Sequence, residues 1–549
     1  MGRLHLLNSN SIFFDFTDMN RLLITILFCS FLFVHDNYAQ KKKDKPNILF
    51  IMCDDLNDYQ GVFGGHPQAK TPNIDKLAKS GTRFLNAQSN IPVCQPSRNS
   101  LFTGVYPSAS SDFGWTPHLK QKVLKHNKTF VQVLKENGYY TLASGKLMHA
   151  NEKEVWNEWG LDIKHNYGPF YYNGDKLAAH PSVPAPFNKI GPIDGSYGRI
   201  SEMPNHNGER GVPGLVEGWN MKPVKYNSDS DRDLLYDEKH AEWAVNKFKE
   251  FANTKTEKPF FMGIGFVRPH TPLHAPDKYF DMFPLDKIEL DKWTADDTDD
   301  IYYQEIFGTK GKGSRYYRDL LSSYNGDREL ALKTFLQAYL ACVAFVDAQI
   351  GTVLEGLEAS GLADNTVVIF TSDHGWQMGE KELLFKNTVY EEATRIPYVI
   401  RDPKAKKNQV VTHPVSLVDL YPTVLDFAGI EASNLKAEGG AELGGYSVIP
   451  FIENPKTKKW EGPEGALSVK GVWGAVSKNF KVNEQNYSYR TEKWRYIHYT
   501  DGKEELYNHF TDPYEWKNVA SDKKYAEVKA DLKAQMETII KVKFNDIVN

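Results

Sequence analysis

Acidic and imidazole side chains follow three apolar segments that have the length of buried strands. Asp54 and Asp55 come directly after one segment, and His270 follows another. Asp373 and His374 come shortly after the third. In open parallel sheets the reactive groups collect at the carboxyl ends of the strands, so we expect these side chains to converge. Because converging carboxylates repel one another, the sequence predicts a divalent cation between them.

Taken one at a time, these groups have ordinary explanations. An Asp54-Asp55 pair is typical of a turn or a helix cap, and Asp373-His374 is typical of the turn that ends a strand. A lone histidine such as His270 is more often structural than catalytic. The order and spacing of the whole set favour a shared chemical role.

Four further candidates lie outside the strand ends. Lys146 and His149 follow an apolar segment over 139–143 and are expected in a loop, and Cys94 is expected in another loop. Lys386 by itself is typical of a surface lysine. An isolated cysteine such as Cys94 is most often a buried free thiol.

The elements that would position these side chains alternate along the chain. Strands are predicted at 47–53, 139–143, 259–267 and 366–370. Helices are predicted at 71–81, 129–137, 237–251 and 328–360. This alternation predicts a largely parallel sheet covered by helices on both faces. The segment 151–235 has little periodicity and is interpreted as long loops, which in an enzyme shape the substrate pocket.

The pattern changes near residue 446. Short alternating segments at 487–490, 494–499 and 505–507 precede a helix at 522–541, which predicts a small antiparallel subdomain. The predicted organisation is therefore a leader at 1–39, a domain that carries the candidate site at 45–445, and a C-terminal subdomain at 446–549.

The leader has the features of an export signal. Residues 1–18 are interpreted as an upstream extension, Arg21 opens an apolar run over 22–34, and Ala39 offers a small residue for cleavage. Since the run is too short for a comfortable transmembrane helix, we expect a cleaved signal and no stable membrane insertion. The predicted location is the periplasm of a bacterium, or outside the cell.

Composition narrows the class of protein. The 549 residues allow roughly two or three domains, and a net charge of −4 argues against a nucleic-acid partner. Removing the leader leaves three cysteines, which is too few for a disulfide scaffold in an exported chain. Cys53 and Cys342 are therefore expected to be reduced.

Together these motifs resemble the type I, formylglycine-dependent sulfatases of the alkaline phosphatase superfamily, and most of all their iduronate-2-sulfatase branch. The matching stretches are 47–56, 71–81, 92–104 with its Cys-x-Pro-Ser-Arg, 145–149, 268–270, 373–386 and 505–516. Arg268 replaces the lysine of the family's K-P-H motif. The resemblance implies an α/β, alkaline phosphatase-like fold: a large mixed, mostly parallel sheet between helical layers, plus a small C-terminal antiparallel sheet with one helix.

The resemblance also implies a metal site and a modified residue. Asp54, Asp55, Asp373 and His374 would surround one calcium ion per chain, together with an oxygen of Cys94 converted to 3-oxoalanine (formylglycine). The hydrate of that aldehyde is a geminal diol, so one hydroxyl can attack sulfur and the other can expel sulfate by rebuilding the carbonyl. His374 is unusual here, because calcium prefers oxygen ligands.

Five further residues receive roles from the same resemblance. Arg98 and Lys146 would stabilise the ionised diol and the charge of the sulfate. His149 would take the proton of the second hydroxyl as sulfate leaves. His270 and Lys386 would face the leaving oxygen, and one of them would donate its proton.

The function implied is hydrolysis of sulfate esters on a sulfated polysaccharide or its oligosaccharides, of the ulvan, carrageenan or glycosaminoglycan type. Its partners would be this sulfated carbohydrate and a formylglycine-generating enzyme for maturation. A phosphatase or phosphonate hydrolase of the same superfamily is an alternative, against which Cys94 and the single set of metal ligands argue. A catalytically inactive glycan-binding protein is another, although every expected catalytic position is filled.

Overall fold

The large sheet has eight strands. In chain order they are β1 (Asn47–Asp54), β2 (Thr82–Phe84), β3 (Tyr140–Gly145), β4 (Glu158–Trp159), β5 (Phe260–Pro269), β6 (Thr366–Ser372), β7 (Tyr398–Arg401) and β8 (Gln409–Val411). Their order across the sheet is β8-β2-β7-β6-β1-β5-β3-β4. Every strand except β7 runs in the direction of β1, which confirms the mixed, mostly parallel sheet.

This computed structural model describes residues 45–150, 152–161, 167–254, 258–308, 311–432, 436–471 and 481–544. The predicted leader at 1–39 lies outside these residues, so the export signal stays a prediction. Pro46–Asn549 cluster as one compact unit, and the division near residue 446 also stays a prediction.

Helices cover both faces of the large sheet. The longer ones are α1 (Pro72–Ser80), α2 (Cys94–Thr103), α3 (Phe130–Glu136), α4 (Tyr236–Thr254), α5 (Lys312–Ser323), α6 (Arg328–Ala359), α7 (Leu420–Phe427) and α8 (Ala526–Ile540). Short helices span Pro107–Ser110, Asp277–Phe280, Tyr303–Phe307, Glu391–Thr394 and Ile449–Glu453.

The described residues also form small sheets of two or three short strands. One joins Ala87–Gln88, Arg395–Ile396 and Val415–Ser416, and another joins Phe170–Tyr172, Leu177–Ala178 and Gly214–Val216. Pairs of strands link Tyr226–Ser228 with Asp231–Arg232, Tyr197–Arg199 with Leu273–Ala275, and Gln377–Met378 with Leu384–Phe385. Much of 151–235 is therefore irregular chain with short strands, in agreement with its lack of periodicity.

The central strand β1 packs on both of its faces. Leu49 and Ile51 belong to a core that α1, α4 and α6 complete, whereas Ile48 and Phe50 belong to a second core with α2, α3 and α7. A strand buried on both faces must be a continuous apolar run, because neither set of alternating side chains meets water. This explains why the sequence marks it so clearly.

Helix α6 is long and apolar enough to cross a membrane when judged by length and composition alone. However, 72% of its most apolar stretch is buried inside the fold, as in the core helix of a globular domain. Cys342 lies on this helix, and both Cys342 and Cys53 are buried free thiols, as predicted.

Helix α2 corrects one prediction, because Cys94 is its first residue and does not lie in a loop. Val93 before it is extended, and Pro96 falls in the first turn, where a missing backbone N–H costs no helical hydrogen bond. All ten residues of α2 are buried although most are polar. Its sequence therefore has no apolar periodicity by which a helix could be predicted.

The C-terminal sheet is antiparallel and consists of β9 (Ala466–Lys470), β10 (Asn486–Arg490), β11 (Trp494–His498) and β12 (Glu504–Asn508). Leu532 and Met536 of α8 share a core with residues of this sheet and with Val93, next to Cys94. The predicted small sheet with one helix is confirmed.

A buried ion-pair network ties the C-terminal sheet to the segment after Lys386. Arg490 Nε lies 3.1 Å from Glu391 Oε2, and Arg495 pairs with both Glu391 and Glu515. His509 Nε2 lies 2.9 Å from Glu515 Oε1. Because two arginines already neutralise these carboxylates, the group serves as a structural link and not as a cation site.

Candidate active site

Four neighbouring strands bring their ends to one edge of the large sheet. Cys53 on β1 pairs with Ser372, so Asp54 and Asp373 are side by side. On the other side Asp54 pairs with Pro269, which places His270 at the same edge, and β5 pairs with β3 just before Lys146. Convergence at strand ends is therefore a consequence of the parallel register.

A turn lets the adjacent acids Asp54 and Asp55 serve one site. Asp55 has a φ of 63°, a left-handed conformation that aspartate adopts more readily than most residues. The hydroxyl of Tyr339 donates to the carbonyl oxygen of Asp55 at 2.8 Å and holds this turn. In a regular strand without this turn, the side chains of Asp54 and Asp55 would point to opposite faces of the sheet.

The thiol of Cys94 lies at the centre of the site. Its Sγ is 3.1 Å from Lys386 Nζ, 3.3 Å from His374 Nε2 and 3.8 Å from Asp55 Oδ1. Only 1% of Cys94 is exposed. Burial, reinforced by the charge of Asp54, raises the pKa of this thiol above its ordinary value, so an unmodified Cys94 is a neutral thiol and a poor nucleophile.

Arg98 lies one helical turn after Cys94 and joins the acids of two strands. Its Nη2 is 3.0 Å from Asp54 Oδ1, and its Nε is 2.9 Å from Asp373 Oδ2. Its Nη1 donates to the carbonyl oxygen of Lys146 at 2.5 Å. A planar guanidinium with all these partners is fixed in position and fully charged.

The ammonium of Lys146 forms an ion pair with Asp54 and lies 4.7 Å from the ring centre of Tyr167. Burial alone would lower the pKa of Lys146, but the charge of Asp54 raises it above its ordinary value. The ring of Tyr167 is also 4.7 Å from that of His270. Tyr167 comes from the segment without periodicity, so the sequence gives no signal for it.

Lys386 and His270 face Asp55 from two sides. Lys386 Nζ is 2.5 Å from Asp55 Oδ1, and His270 Nε2 is 3.8 Å from Asp55 Oδ2. His270 Nδ1 lies 2.6 Å from the carbonyl oxygen of Thr271, to which it can only donate. Burial, together with the charge of Lys386, lowers the pKa of His270 well below its ordinary value.

Lys386 sits on a strained piece of backbone. The residues on either side of it, Phe385 and Asn387, have positive φ values of 74° and 70°. Such conformations cost about 1–3 kcal/mol each and persist where packing enforces them. The ion pair with Asp55 and the contact with Cys94 place the ammonium of Lys386 inside the site and not on the surface.

His149 lies in the loop after β3. It is half-buried, and its ring lies 5.1 Å from that of Trp115. Within the described part of the chain, its nitrogens belong to neither of the ligand groups around Cys94. The other predicted site residues are brought together, and the role of His149 stays a prediction.

The cluster fits a divalent cation. One group of ligand atoms within 4.8 Å of one another comes from Asp54, Asp55, Cys94 and His270, and an overlapping group adds Asp373 and His374. Asp55 Oδ2 is buried without a hydrogen-bond partner. Burial raises the pKa of Asp55 to about 7, although the charge of Lys386 lowers it. Without a metal ion, the neighbouring positive charges therefore do not fully offset the cost of burying the charged carboxylate.

His374 is prepared to act as a nitrogen ligand. Its Nδ1 lies 3.0 Å from the carbonyl oxygen of Gly375, so Nδ1 carries the proton and the lone pair of Nε2 points at Cys94 and Asp55. Burial lowers the pKa of His374 to about 4, which keeps the ring neutral. The neutral ring is the form that binds metals.

Comparison with known families identifies the class of protein. Residues 46–430 match the family model described as "Sulfatase". The chain belongs to the sulfatase family. As a sulfatase it is a sulfate ester hydrolase of the alkaline phosphatase-like superfamily, and residues 379–542 match the model described as "N-sulphoglucosamine sulphohydrolase, C-terminal".

Several curated relatives resemble this sulfatase over most of its length. A sulfatase of Formosa agariphila is 31% identical over 502 residues, which cover 90% of this chain and 87% of the relative. Iduronate 2-sulfatase of Mus musculus is 27% identical, covering 75% and 74%. An ulvan-active sulfatase of Formosa agariphila is 26% identical, covering 90% and 81%.

A solved structure confirms the fold of the sulfatase. The phosphonate monoester hydrolase of Agrobacterium radiobacter superposes with a TM-score of 0.65 at 20% identity, covering 90% of this chain and 95% of that one. At this identity the likeness shows the alkaline phosphatase-like fold alone. The family in general has a metal site and a formylglycine, and the buried Asp/Cys/His cluster supplies donors for them here.

Proposed function

We propose that this sulfatase removes sulfate from a sulfated polysaccharide or its oligosaccharides, of the ulvan, carrageenan or glycosaminoglycan type, through formylglycine at position 94 and one calcium ion. The observation that carries the proposal is the setting of Cys94, which lies in Cys-x-Pro-Ser-Arg and contacts Lys386 and His374. The names of the iduronate 2-sulfatase and the ulvan-active sulfatase among its relatives support the substrate class.

The residues of the chain divide the chemical work. A formylglycine hydrate at position 94 would supply a nucleophilic hydroxyl for sulfur and a second hydroxyl through which sulfate could be released. Calcium, held by Asp54, Asp55, Asp373 and His374, would orient and neutralise charged oxygens. Arg98 is held by the backbone oxygen of Lys146 and by two of these acids, and supplies fixed positive charge beside them.

Lys386, and not His270, holds the proton for the leaving oxygen in this proposal. Burial alone would lower the pKa of Lys386, but the charge of Asp55 raises it well above its ordinary value. His270 is neutral, and its Nε2 has no proton to give when Nδ1 donates to Thr271. His270 would instead accept a hydrogen bond near the leaving group.

The proposal includes the maturation and location of the enzyme. A formylglycine-generating enzyme converts Cys94, and the leader at 1–39 directs a bacterial protein to the periplasm or the medium. The catalytic domain is 45–445, and 446–549 is the C-terminal subdomain. The membership of this chain in the sulfatase family and its relatives in a bacterium support export.

A substrate panel tests the proposed function. The purified enzyme is expected to release sulfate, measured by ion chromatography, from at least one defined sulfated oligosaccharide. Mass spectrometry of the peptide around Cys94 is expected to show sulfur replaced by oxygen. Phosphate and phosphonate monoesters are the matched comparison substrates. Faster turnover of these, or no turnover of any ester, would reject the proposal in favour of a phosphorus hydrolase or a binding protein.

Lys386→Ala is expected to lose far more rate on a sugar sulfate than on an activated aryl sulfate, with a difference of about 10²-fold or more. A sugar alkoxide needs a proton to leave, whereas an aryl oxide does not. Measuring kcat/KM on both substrates checks this. His149→Ala is the contrast, because loss of a base that acts after sulfur–oxygen cleavage should lower kcat on both substrates and leave kcat/KM nearly unchanged. Equal losses for Lys386→Ala would remove Lys386 from the leaving-group side.

A further inference from the structure

Lys470, the last residue of β9, is a buried lysine, and only 6% of it is exposed. Its Nζ lies 3.6 Å from the ring centre of Phe307 and 5.8 Å from that of Tyr303. Burial lowers the pKa of Lys470 to about 7, and no charged group of the described residues opposes this shift. Residues 472–480 contain neither Asp nor Glu. The face of an aromatic ring attracts the ammonium, but it supplies no counter-charge.

The other buried lysines of the described chain are paired with acids. Lys146 forms an ion pair with Asp54, and Lys381 Nζ lies 2.6 Å from Asp297 Oδ1. Such pairing is expected, because a buried ammonium without a counter-charge loses its hydration without compensation. Lys470 departs from this pattern, which points to a counter-charge supplied by a molecule that binds.

The side chain of Lys470 lies on the face of β9 that packs against the active site. Side chains alternate along a strand, and Val469 belongs to the core that β9 shares with α8. Ser468 and Lys470 therefore lie on the opposite face. Ser468 Oγ donates to the carbonyl oxygen of Ser89 at 2.5 Å, and Ser89 Oγ donates to that of Asp373 at 2.7 Å. Two hydrogen bonds thus connect this face of β9 to a candidate metal ligand.

Two segments of the active site flank Lys470. The backbone N–H of Val469 donates to the carbonyl oxygen of Asn90 at 2.9 Å, four residues before the proposed nucleophile. The hydroxyl of Tyr303, whose ring lies near the ammonium, donates at 3.4 Å to the carbonyl oxygen of Asn387, directly after the proposed proton donor. Because the nucleophile and the proton donor are themselves in contact, the ammonium of Lys470 lies beside the reacting centre.

We propose that the ammonium of Lys470 binds a second anionic group of the substrate, a sulfate or a carboxylate close to the ester that is cleaved. The inference rests on the proposed function and narrows it to sugars with at least two anionic groups. The scissile sulfate already has three cations for it, namely Arg98, Lys146 and Lys386, and Lys470 lies to one side of them. A bound anion would supply the counter-charge that Lys470 lacks, while the ring of Phe307 orients the ammonium.

The first test is Lys470→Met, which removes the charge but keeps an unbranched side chain against Phe307. On a sulfated oligosaccharide that wild type cleaves, we expect KM to rise about tenfold with little change in kcat. Removing the second anionic group from this oligosaccharide, by selective desulfation or by carboxyl reduction, should raise the KM of wild type by the same factor. Variant and wild type should then have equal KM, and the treatment that has this effect identifies the group.

A second readout separates binding from a purely structural role. Because a buried unpaired charge destabilises the fold, Lys470→Met should unfold at a higher urea concentration than wild type. A lysine retained for the fold would have the opposite effect. A lower urea midpoint, a variant that does not fold, or an unchanged KM on every oligosaccharide would overturn the inference. An equal rise in KM on the oligosaccharide without its second anionic group would overturn it as well.

The matched control is Lys493→Met. Lys493 is exposed and lies 5.1 Å from the ring centre of Trp494. It follows the end of β10 that pairs with the start of β9, away from Lys470. The control removes the same charge from an aromatic ring and should keep the KM and the urea midpoint of wild type. Failure of wild type to cleave any sulfated sugar instead rejects the proposed function.

Discussion

Cys94→Ser is expected to lower sulfate release from every substrate by more than about 10⁴-fold while leaving the free energy of unfolding nearly unchanged. Serine is close to cysteine in size, so it can keep the position at the start of α2 and the contacts with Lys386 and His374. In the proposed maturation it is not converted to the aldehyde, so the hydrate with its two hydroxyls cannot form. Sulfate release and urea unfolding of the purified variant provide the two measurements.

Cys342→Ala is the control for this substitution. Cys342 is also a fully buried free thiol, but it lies in the core around α6. The control should retain the activity of wild type and lose a modest amount of stability, because one sulfur atom leaves a well-packed core. Activity of Cys94→Ser within tenfold of wild type would contradict the formylglycine mechanism.

Asp55→Asn is expected to lower activity by at least about 10³-fold and to abolish stoichiometric calcium. The substitution removes the charge of a carboxylate in the site whose Oδ2 is buried without a hydrogen-bond partner. The calcium content of the purified variant, measured by inductively coupled plasma mass spectrometry, gives a readout that does not depend on turnover. Chelation of wild type should reduce activity in parallel, and added calcium should restore it.

Asp58→Asn serves as the matched control, three residues along the chain. Asp58 pairs with Arg395 at 3.1 Å and belongs to none of the ligand groups found among the described residues. It should keep both calcium and activity. Two zinc ions per chain, or full activity of metal-stripped wild type, would show that the metal assignment is wrong.

The strands that carry the acids are predictable from the sequence, because burial on both faces forces continuous apolar runs at 47–53 and 366–370. Their ends then specify where Asp54 and Asp373 must lie. The helix that carries Cys94 is not predictable in this way. Ser97 donates to the carbonyl oxygen of Asp373 at 2.6 Å, and Arg98 forms ion pairs with Asp54 and Asp373. Because α2 is buried through such polar contacts, its sequence has no periodic apolar pattern.

Contacts from the irregular segments also escape prediction. Tyr167 reaches His270 and Lys146 from a stretch without periodicity, and Asp194 reaches Thr271 from another part of the same segment. Such contacts depend on how long loops close over the sheet, which local propensity does not determine. The four strands predicted at 47–53, 139–143, 259–267 and 366–370 are specified locally, but the pocket walls are specified only by the assembled tertiary structure.

The sheet order also dictates when the site can form during synthesis. The central strand β1 is the first one made, yet its two neighbours are β5 and β6, which begin at residues 260 and 366. A growing chain must therefore carry an unpaired apolar strand for hundreds of residues, which slows folding and invites aggregation. The same delay keeps the Cys94 segment open, since Asp373, to which Ser97 and Arg98 bind, is made so late. Any catalyst that alters Cys94 has this interval in which to act.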